Sequence, residues 1–390
     1  MFERIAQERT LRKGRLNTLH GVLESPFFMP VATKGSIRGI GPQEMLTQVQ
    51  SQILLMNTYH LYLKPGYDLV HELGGLHTFA NWPKPILTDS GGYQVFSLSK
   101  HRKLSEEGAE FRSHIDGAKH MLTPEESIKT QYYLGSDIIM VLDECPPGGS
   151  SREYIKASLE LTTRWARRCR AELDRLCEAD GRAKDDRPLL FGIVQGGIYE
   201  DLRKESLRQL EEIGFDGYAI GGVSVGESRA DVLKVIKWIA PLLPEDKPRY
   251  LMGLGKPEEI AYAASLGVDM FDCVIPTREA RHGSVFVWNS ADKEGDVHRY
   301  LDALEESSKT ATLPNESFFH VYKAGNATYA KDAQPIDPYA EWEGSKEYTR
   351  AYMRHMFKVG EQMALEYFSR HNLHFYLEMM QYIRSYTAKN

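Results

Sequence analysis

Eight short apolar segments recur along the chain, and each ends in a polar or glycine-rich stretch. Most of them are apolar without alternation, which is typical of parallel strands buried on both faces. Stretches with helical periodicity lie between many of them, for example residues 123–135, which open with a Thr-x-x-Glu capping box, and residues 228–243. The eight apolar segments begin at Phe27, Ile53, Pro85, Asp137, Leu189, Gly217, Arg249 and Val268.

Strands that alternate with helices in this number predict an α/β protein, a (β/α)8 TIM barrel over about residues 27–290. An open doubly wound sheet is the alternative, and the lack of a Gly-x-Gly-x-x-Gly motif after the first strand disfavours it. Residues 16–32 alternate and contain a turn, so we expect an N-terminal hairpin at the bottom of the barrel. The predicted domains are a catalytic barrel with this hairpin over 1–290 and a C-terminal part over 291–390.

The C-terminal part differs from the barrel in composition and in the spacing of its apolar residues. Residues 289–296 and 305–317 are polar and rich in helix breakers, so we expect loops there. Residues 346–386 contain no proline and repeat apolar residues at helical spacing. They predict a helical appendage of two or three amphipathic helices packed on the barrel.

The net charge, the length of the apolar runs and the spacing of the cysteines limit the classes of function that this chain can have. The net charge of −6 gives no overall basic field, so any nucleic-acid binding requires a local patch. No apolar run approaches the roughly 18 residues that span a bilayer, and the charged first sixteen residues do not resemble a secretory signal. The four cysteines have no Cys-x-x-Cys spacing, which favours a reducing cytoplasm.

Three aspartates stand where predicted strands end, at Asp89, Asp143 and Asp272. The catalytic groups of a TIM barrel lie at the carboxyl ends of its strands. A single aspartate there commonly caps a helix, but one barrel mouth rarely needs three carboxylates for structure. Other polar, glycine or sulfur-containing residues at these ends are Asn57, His60, Tyr93, Cys145, Gln195, Gly222 and Met252.

Paired carboxylates suit two kinds of chemistry. Metal-dependent hydrolysis usually needs several histidines at strand ends, and only His60 qualifies. Without a metal, one carboxylate can attack the anomeric carbon of a sugar while the other handles the proton. Bare glycine amides beside an aspartate and a glutamine suit the edge of a purine, and Tyr93 suits its face.

Five motifs occur in a fixed order: LTDSGGYQVFSL, GIVQGG, YAIGGVSVGE, YLMGLG and FDCVIPTREARHG. In this set and order the chain resembles the tRNA-guanine transglycosylase family, also called queuine tRNA-ribosyltransferases, over nearly the whole barrel. The resemblance implies a TIM barrel with a small C-terminal appendage. It also implies exchange of the wobble guanine of tRNA for a 7-deazaguanine base.

The resemblance assigns catalytic and tRNA-binding roles. Asp272 corresponds to the nucleophile that forms a covalent bond to the ribose, and Asp89 to the general acid and base. Arg278 and Arg281 follow the nucleophile and are expected to hold phosphates beside the flipped nucleotide. Glu279 and His282 lie near the expected path of these phosphates, and both depart from the usual sequence of the family.

The resemblance also assigns the base pocket. Tyr93 is expected to cover one face of the base and Met252 the other. Val225 and Cys145 resemble the family branch that takes the small 7-aminomethyl base rather than queuine. The residues expected to read the edge of the base are Asp143, Gln195 and the amide of Gly222.

The appendage departs from the family pattern. The family carries a structural zinc there on three cysteines and a histidine. The three cysteine positions fall on Ala340, Trp342 and Ser345, and only His371 remains. We therefore expect no zinc and no other cofactor, and His371 with His374 more readily forms a solvated or capping pair than a metal site. An extra stretch at about 292–322 is a second departure from the family. In the family the zinc-bearing appendage helps to support a homodimer, so a homodimer is less strongly expected here.

Three other functions stay open at this point. A non-catalytic tRNA-binding partner subunit has no need of both Asp89 and Asp272, which disfavours it. Base exchange on another nucleic acid such as DNA is left open by the insertion and the missing cysteines. An enzyme of small-molecule nucleosides would leave the two arginines after Asp272 without a phosphate chain to hold.

Overall fold

The structure is a computed structural model that describes residues 2–98, 103–223 and 225–388. Its strands, numbered along the chain, are β1 (Phe2–Glu8), β2 (Leu11–Thr18), β3 (Gly21–Ser25), β4 (Phe27–Pro30), β5 (Leu54–Met56), β6 (Ile86–Thr88), β7 (Lys103–Leu104), β8 (Ala109–Arg112), β9 (Lys119–Leu122), β10 (Ile138–Met140), β11 (Leu189–Val194), β12 (Gly217–Ile220), β13 (Arg249–Leu251), β14 (Met270–Cys273), β15 (Ser284–Trp288) and β16 (Phe319–Lys323).

The α-helices are α1 (Pro42–Glu44), α2 (Thr58–Leu63), α3 (Tyr67–Glu72), α4 (Gly75–Ala80), α5 (Gly92–Leu98), α6 (Pro124–Leu134), α7 (Arg152–Ala179), α8 (Glu200–Ile213), α9 (Arg229–Ile239), α10 (Pro257–Ser265), α11 (Ile275–Arg281), α12 (Lys293–Lys309), α13 (Arg350–Val359) and α14 (Gln362–Ser385). Short 3-10 or π-helical turns lie at Met45–Val49, Ala240–Leu242, Ala327–Lys331, Glu343–Lys346 and Tyr386–Ala388.

Eight parallel strands form the central sheet, in the order β4-β14-β13-β12-β11-β10-β6-β5. The two ends of this sheet meet where Val31 bridges Leu55 and the Ala32 amide donates to the Leu55 carbonyl at 2.7 Å. Every residue of β5, β6 and β10 is buried, which explains their unbroken apolar sequence. The predicted TIM barrel and all eight of its predicted strands are confirmed.

Two predicted helices are confirmed together with their start signals. The Thr123 hydroxyl accepts a hydrogen bond from the Glu126 amide at 3.1 Å where α6 begins. Ser228 does the same for the Asp231 amide at 3.2 Å where α9 begins. Both side chains satisfy backbone donors that have no partner within the helix.

The N-terminal hairpin is confirmed as the pair β2 and β3, and β1 extends it to a three-stranded antiparallel sheet. The sequence analysis did not predict β1, in which Phe2 is the one buried residue and the other residues are exposed or half-buried. It also missed the small antiparallel sheet of β7, β8 and β9, which lies between the barrel strand β6 and helix α6.

The loops predicted at residues 289–296 and 305–317 are wrong where they overlap Lys293–Lys309, because α12 forms there. The Asp292 carboxylate accepts from the Gly295 amide at 3.2 Å and caps the helix. The helix buries one apolar face in the core, and the polar residues that suggested a loop occupy its exposed face. The residues of this buried face are Val297, Tyr300, Leu301 and Leu304.

The predicted helical appendage is confirmed as α13 and α14. Helix α14 packs against α10, α11, α12, β15 and the barrel strand β4, so it joins the appendage to the barrel. The proposed boundary at residue 290 and the cytoplasmic location stay predictions. In the part of the chain that the structure describes, no helix has both the length and the apolar character needed for a bilayer crossing.

A buried ion pair fastens the N-terminal sheet to the bottom of the barrel. Arg12 of β2 donates through Nη2 to Asp269 Oδ2 at 2.7 Å, and both side chains are almost fully buried. The Asp269 carboxylate also accepts from the Arg249 amide at 2.8 Å, at the start of β13. Burial raises the pKa of Asp269 to about 6, and the Arg12 guanidinium opposes that rise.

We expect Arg12→Met to lower the free energy of unfolding by about 3–5 kcal/mol, because it leaves a buried carboxylate without its partner. Chemical denaturation of the purified variant measures this loss. Arg4→Met is the matched control, since it removes an exposed pair with Glu245 and is expected to cost less than about 1 kcal/mol. Equal losses in the two variants would show that burial of the Arg12 pair is unimportant.

Candidate active site

A cavity of about 590 Å³ opens at the carboxyl end of the barrel strands. Asn57 and His60 contribute to its wall. Gln195 and Arg281 do not line it, and Gln195 lies directly behind Asp143. The predicted site residues that do line the cavity are Asp89, Tyr93, Asp143, Cys145, Gly222, Val225, Met252, Asp272 and Arg278.

Asp272 is the last but one residue of β14, and its carboxylate is held on one side. Its Oδ1 accepts from the Tyr250 hydroxyl at 2.6 Å and from the Gly253 amide at 2.8 Å. Burial raises the pKa of Asp272, and these two donors oppose the rise because they stabilise the ionised form. Both donors converge on Oδ1, so the second carboxylate oxygen carries neither of them. That oxygen suits the role of a nucleophile.

Asp89 follows β6 on the same cavity wall. Its carboxylate accepts from the Thr58 amide at 3.0 Å and the Gly91 amide at 3.2 Å, and from the side-chain amide of Asn57. Burial is the main cause that raises the pKa of Asp89 to about 7, and the nearby Asp272 carboxylate raises it further. Asp89 can therefore hold or release a proton near neutral pH, as a general acid and base must.

The third aspartate, Asp143, is buried at the base of the cavity. Its oxygens accept from the Ser90 hydroxyl at 3.1 Å and from Gln195 Nε2 at 2.7 Å. Burial raises its pKa to about 6, and these two donors oppose the rise. Gln195 Oε1 is buried with no hydrogen-bond partner among the described residues. A buried acceptor of this kind is costly unless a bound molecule supplies a donor.

The turn after β12 depends on a glycine. Gly222 has a φ of +58°, and a Cβ built there would lie 2.2 Å from Gln195 Oε1. The buried guanidinium of Arg203 fixes the same turn from behind, because it donates to the carbonyls of Gly221 at 2.6 Å and Gly222 at 2.9 Å. It also donates to the Val194 carbonyl at 2.9 Å, which ties β11 to this turn.

The remaining predicted pocket residues lie on the cavity wall. Tyr93 stands on the cavity wall with half of its surface exposed, as a stacking side chain would before a ligand covers it. Met252 and the buried Cys145 line other parts of the wall. The Val225 amide donates to Glu227 at 2.8 Å, which fixes the loop that carries Val225.

Comparison with known proteins agrees with this geometry. The profile of the family described as queuine tRNA-ribosyltransferase matches residues 8–390. The chain belongs to this family. A queuine tRNA-ribosyltransferase of Halothermothrix orenii is 48% identical over 96% of this chain and 89% of the relative. Those of Acinetobacter baylyi and Acinetobacter baumannii are each 46% identical over 98% of this chain, and over 89% and 92% of the relatives.

Family membership makes the chain a pentosyltransferase, an enzyme that transfers a ribosyl group. Its cavity contains two carboxylates, Asp272 and Asp89, and paired acidic groups are the usual means of transfer at an anomeric carbon. The names of the family and of its relatives point to tRNA as the polymer that carries the ribose.

A basic cluster borders the cavity. Arg278 lines it, and Arg281 lies one turn further along α11. The pKa of Arg281 is lowered, first by partial burial and then by the positive charges of Arg38 and Arg278. Three guanidinium groups this close repel one another, so an anion between them would be stabilised. Glu279 is half-buried on the same helix.

The appendage residues that replace the family's cysteines do not fit a zinc ion. Ala340 and Trp342 offer no metal ligand, and the Trp342 ring stacks on His374 at 4.8 Å. His371 Nε2 lies 2.6 Å from the Phe286 carbonyl and Nδ1 lies 2.8 Å from the Ser345 hydroxyl. Because a carbonyl only accepts, Nε2 carries the proton and Nδ1 accepts from Ser345. Both nitrogens of the one remaining ligand are therefore in use.

Several site residues escaped the sequence analysis. Tyr250 and Arg203 look like ordinary strand and helix residues in the sequence, and no local pattern marks their contacts with Asp272 or with the β12 turn. Glu227 likewise reads as a loop residue. Asn57 was noted at a strand end without a role, and its contact with Asp89 supplies one.

We expect Tyr250→Phe to raise the pKa of Asp272, because it removes a donor that stabilises the carboxylate. A higher pKa leaves less of the ionised nucleophile at low pH, so the acidic limb of the kcat/KM profile should move to higher pH. A hydrogen bond to a charged group is worth about 1.5–3 kcal/mol, which predicts a loss of about ten- to a hundredfold in kcat/KM.

Tyr262→Phe is the matched control, since its buried hydroxyl donates to the Leu233 carbonyl at 3.2 Å outside the cavity. The control should keep the wild-type pH profile. An unshifted acidic limb in Tyr250→Phe would contradict the assigned role of this hydroxyl.

Proposed function

We propose that this protein exchanges the wobble guanine of tRNA for a 7-deazaguanine base by double displacement. The observation that carries the proposal is the pair of carboxylates in one cavity with different partners. Asp272 has two donors on one oxygen, and Asp89 has a pKa of about 7. That pairing suits a nucleophile beside a general acid and base.

In the first displacement, an Asp272 oxygen forms a bond to ribose C1′ while the bond from C1′ to the guanine nitrogen breaks. Asp89 gives its proton to the departing guanine, and the ribose is held as an ester of Asp272. In the second, the incoming base loses its ring N–H proton to Asp89 and attacks C1′. The C1′–oxygen bond then breaks, and Asp272 is released as a carboxylate.

The base-reading groups are proposed on the cavity wall and directly behind it. Asp143 and the Gly222 amide on the wall would offer an acceptor and a donor to the edge of a guanine-like base, and Gln195 behind Asp143 would offer its unpartnered Oε1 as a further acceptor. Tyr93 and Met252 would cover its two faces. A flipped base in a pocket is read by its edge and its faces in this way.

Two residues of the cavity wall bear on the size of the incoming base. Val225 and the buried Cys145 line the cavity, and they resemble the family branch that takes the small aminomethyl base. We therefore propose 7-aminomethyl-7-deazaguanine rather than queuine as the incoming base. Arg278 and Arg281 would hold the tRNA phosphates on either side of the flipped nucleotide. We also propose a homodimer, which rests only on the likeness to the family.

Incorporation of labelled guanine into bulk tRNA tests the activity. We expect incorporation by the wild type and a loss of at least about a thousandfold in Asp272→Asn, because the nucleophile is gone. Asp201→Asn, which alters an exposed carboxylate paired with Arg152, is the matched control and should stay active. Chase of the label by the aminomethyl base but not by queuine would support the small-base pocket.

Two results would contradict the proposal. A folded wild type that incorporates no guanine would point to a partner subunit without its own catalysis. Incorporation into single-stranded DNA of the anticodon-loop sequence, but not into tRNA, would point to another nucleic acid.

We also propose that the appendage works without the zinc of its family. His371→Gln removes the only remaining ligand of that site, so it should leave the metal content of the purified protein unchanged. Elemental analysis of wild type and variant, both purified without chelator, measures this. A loss of stoichiometric zinc on His371→Gln would show that the appendage holds a metal after all.

A further inference from the structure

Two histidines and one aspartate meet at the bottom of the barrel, at the opposite end from the active site. Asp137 immediately precedes β10 and is fully buried. His20 lies in the turn between β2 and β3, and His77 lies in α4. The three residues come from segments that are far apart in the sequence, and the proposed function uses none of them.

Their ligand atoms lie within 4.8 Å of one another. His20 Nδ1 is 2.9 Å from Asp137 Oδ1, and His77 Nε2 is 3.2 Å from Asp137 Oδ2. The two imidazole rings stack with their centroids 3.5 Å apart and their planes at 16°. Two nitrogen ligands and one carboxylate oxygen form a donor set that divalent zinc and its neighbours prefer.

The carboxylate is supported as metal-ligating carboxylates usually are. Asp137 Oδ1 accepts from the His20 amide and Oδ2 from the Ile86 amide, both at 2.8 Å. These backbone donors fix the orientation of the carboxylate. They resemble the hydrogen bonds that orient ligands around bound metals.

His77 shows a second and independent sign of an incomplete site. Its Nε2 is buried, and no described group meets it with the alignment of a hydrogen bond, although Asp137 lies nearby. Protonation of both histidines does not complete the site, because two positive rings stacked at 3.5 Å repel each other. One divalent ion bound to both nitrogens provides the positive charge without that repulsion.

We propose that His20, His77 and Asp137 bind one divalent transition-metal ion of the zinc class. Binding replaces the two histidine–carboxylate contacts by coordination, and the rings tilt so that both lone pairs face the ion. The His20 side chain is 36% exposed, so it can make this rotation and leave a position for water. The ion would join the N-terminal sheet, α4 and the start of β10.

Titration of the metal-free protein with Co²⁺ tests the proposal, because Co²⁺ replaces zinc and reports its geometry by visible absorption. We expect one equivalent bound by the wild type, displaced by Zn²⁺, with a Tm that rises with metal concentration. The double variant His20→Ala/His77→Ala should bind none at the same concentrations and show no rise in Tm. His355→Ala removes an exposed histidine elsewhere and should behave as the wild type.

No Co²⁺ uptake by the wild type, or full uptake by the double variant, would overturn the proposal. Guanine exchange is measured in parallel, and the double variant is expected to retain it because the metal site lies away from the active-site cavity. The metal result is therefore independent of the exchange result.

Discussion

The closure of eight parallel strands into one ring is the constraint on which the rest of this protein depends. Parallel strands bring all their carboxyl ends to one mouth. Asp89, Asp143 and Asp272 follow three different strands and so share one cavity. The opposite end of the barrel carries no part of that cavity. At that end the Arg12–Asp269 ion pair attaches the N-terminal sheet to the barrel.

Burial raises the pKa of each of the three cavity aspartates, and their local donors decide what each can do. Asp272 receives a hydroxyl and an amide on one oxygen, which favours its ionised form. Asp89 lies close enough to Asp272 for that charge to raise its pKa further. We propose that this difference separates the two carboxylates into a nucleophile and a proton carrier, as glycosyl transfer requires.

Ordinary packing and hydrogen bonds join the segments of the appendage. His371 bridges Ser345 and the Phe286 carbonyl. The Glu378 carboxylate accepts from the Trp288 indole at 3.0 Å and from the Trp342 amide at 3.3 Å, so it joins β15 to the segment that carries cysteines elsewhere in the family. These contacts, with the stacking of Trp342 on His374, hold these segments of the appendage together.

The sequence by itself determined the barrel, because buried parallel strands leave long apolar runs, and it determined the three catalytic-end aspartates, because each follows such a run directly. It failed for α12, because the exposed and half-buried residues of this helix outnumber the five that it buries. Only the tertiary structure decided the partners of those aspartates. Tyr250 reaches Asp272, Arg203 reaches the β12 turn, and two histidines reach Asp137 across long stretches of chain. Contacts of this kind depend on how distant segments pack, and a local pattern of residues carries no record of that packing.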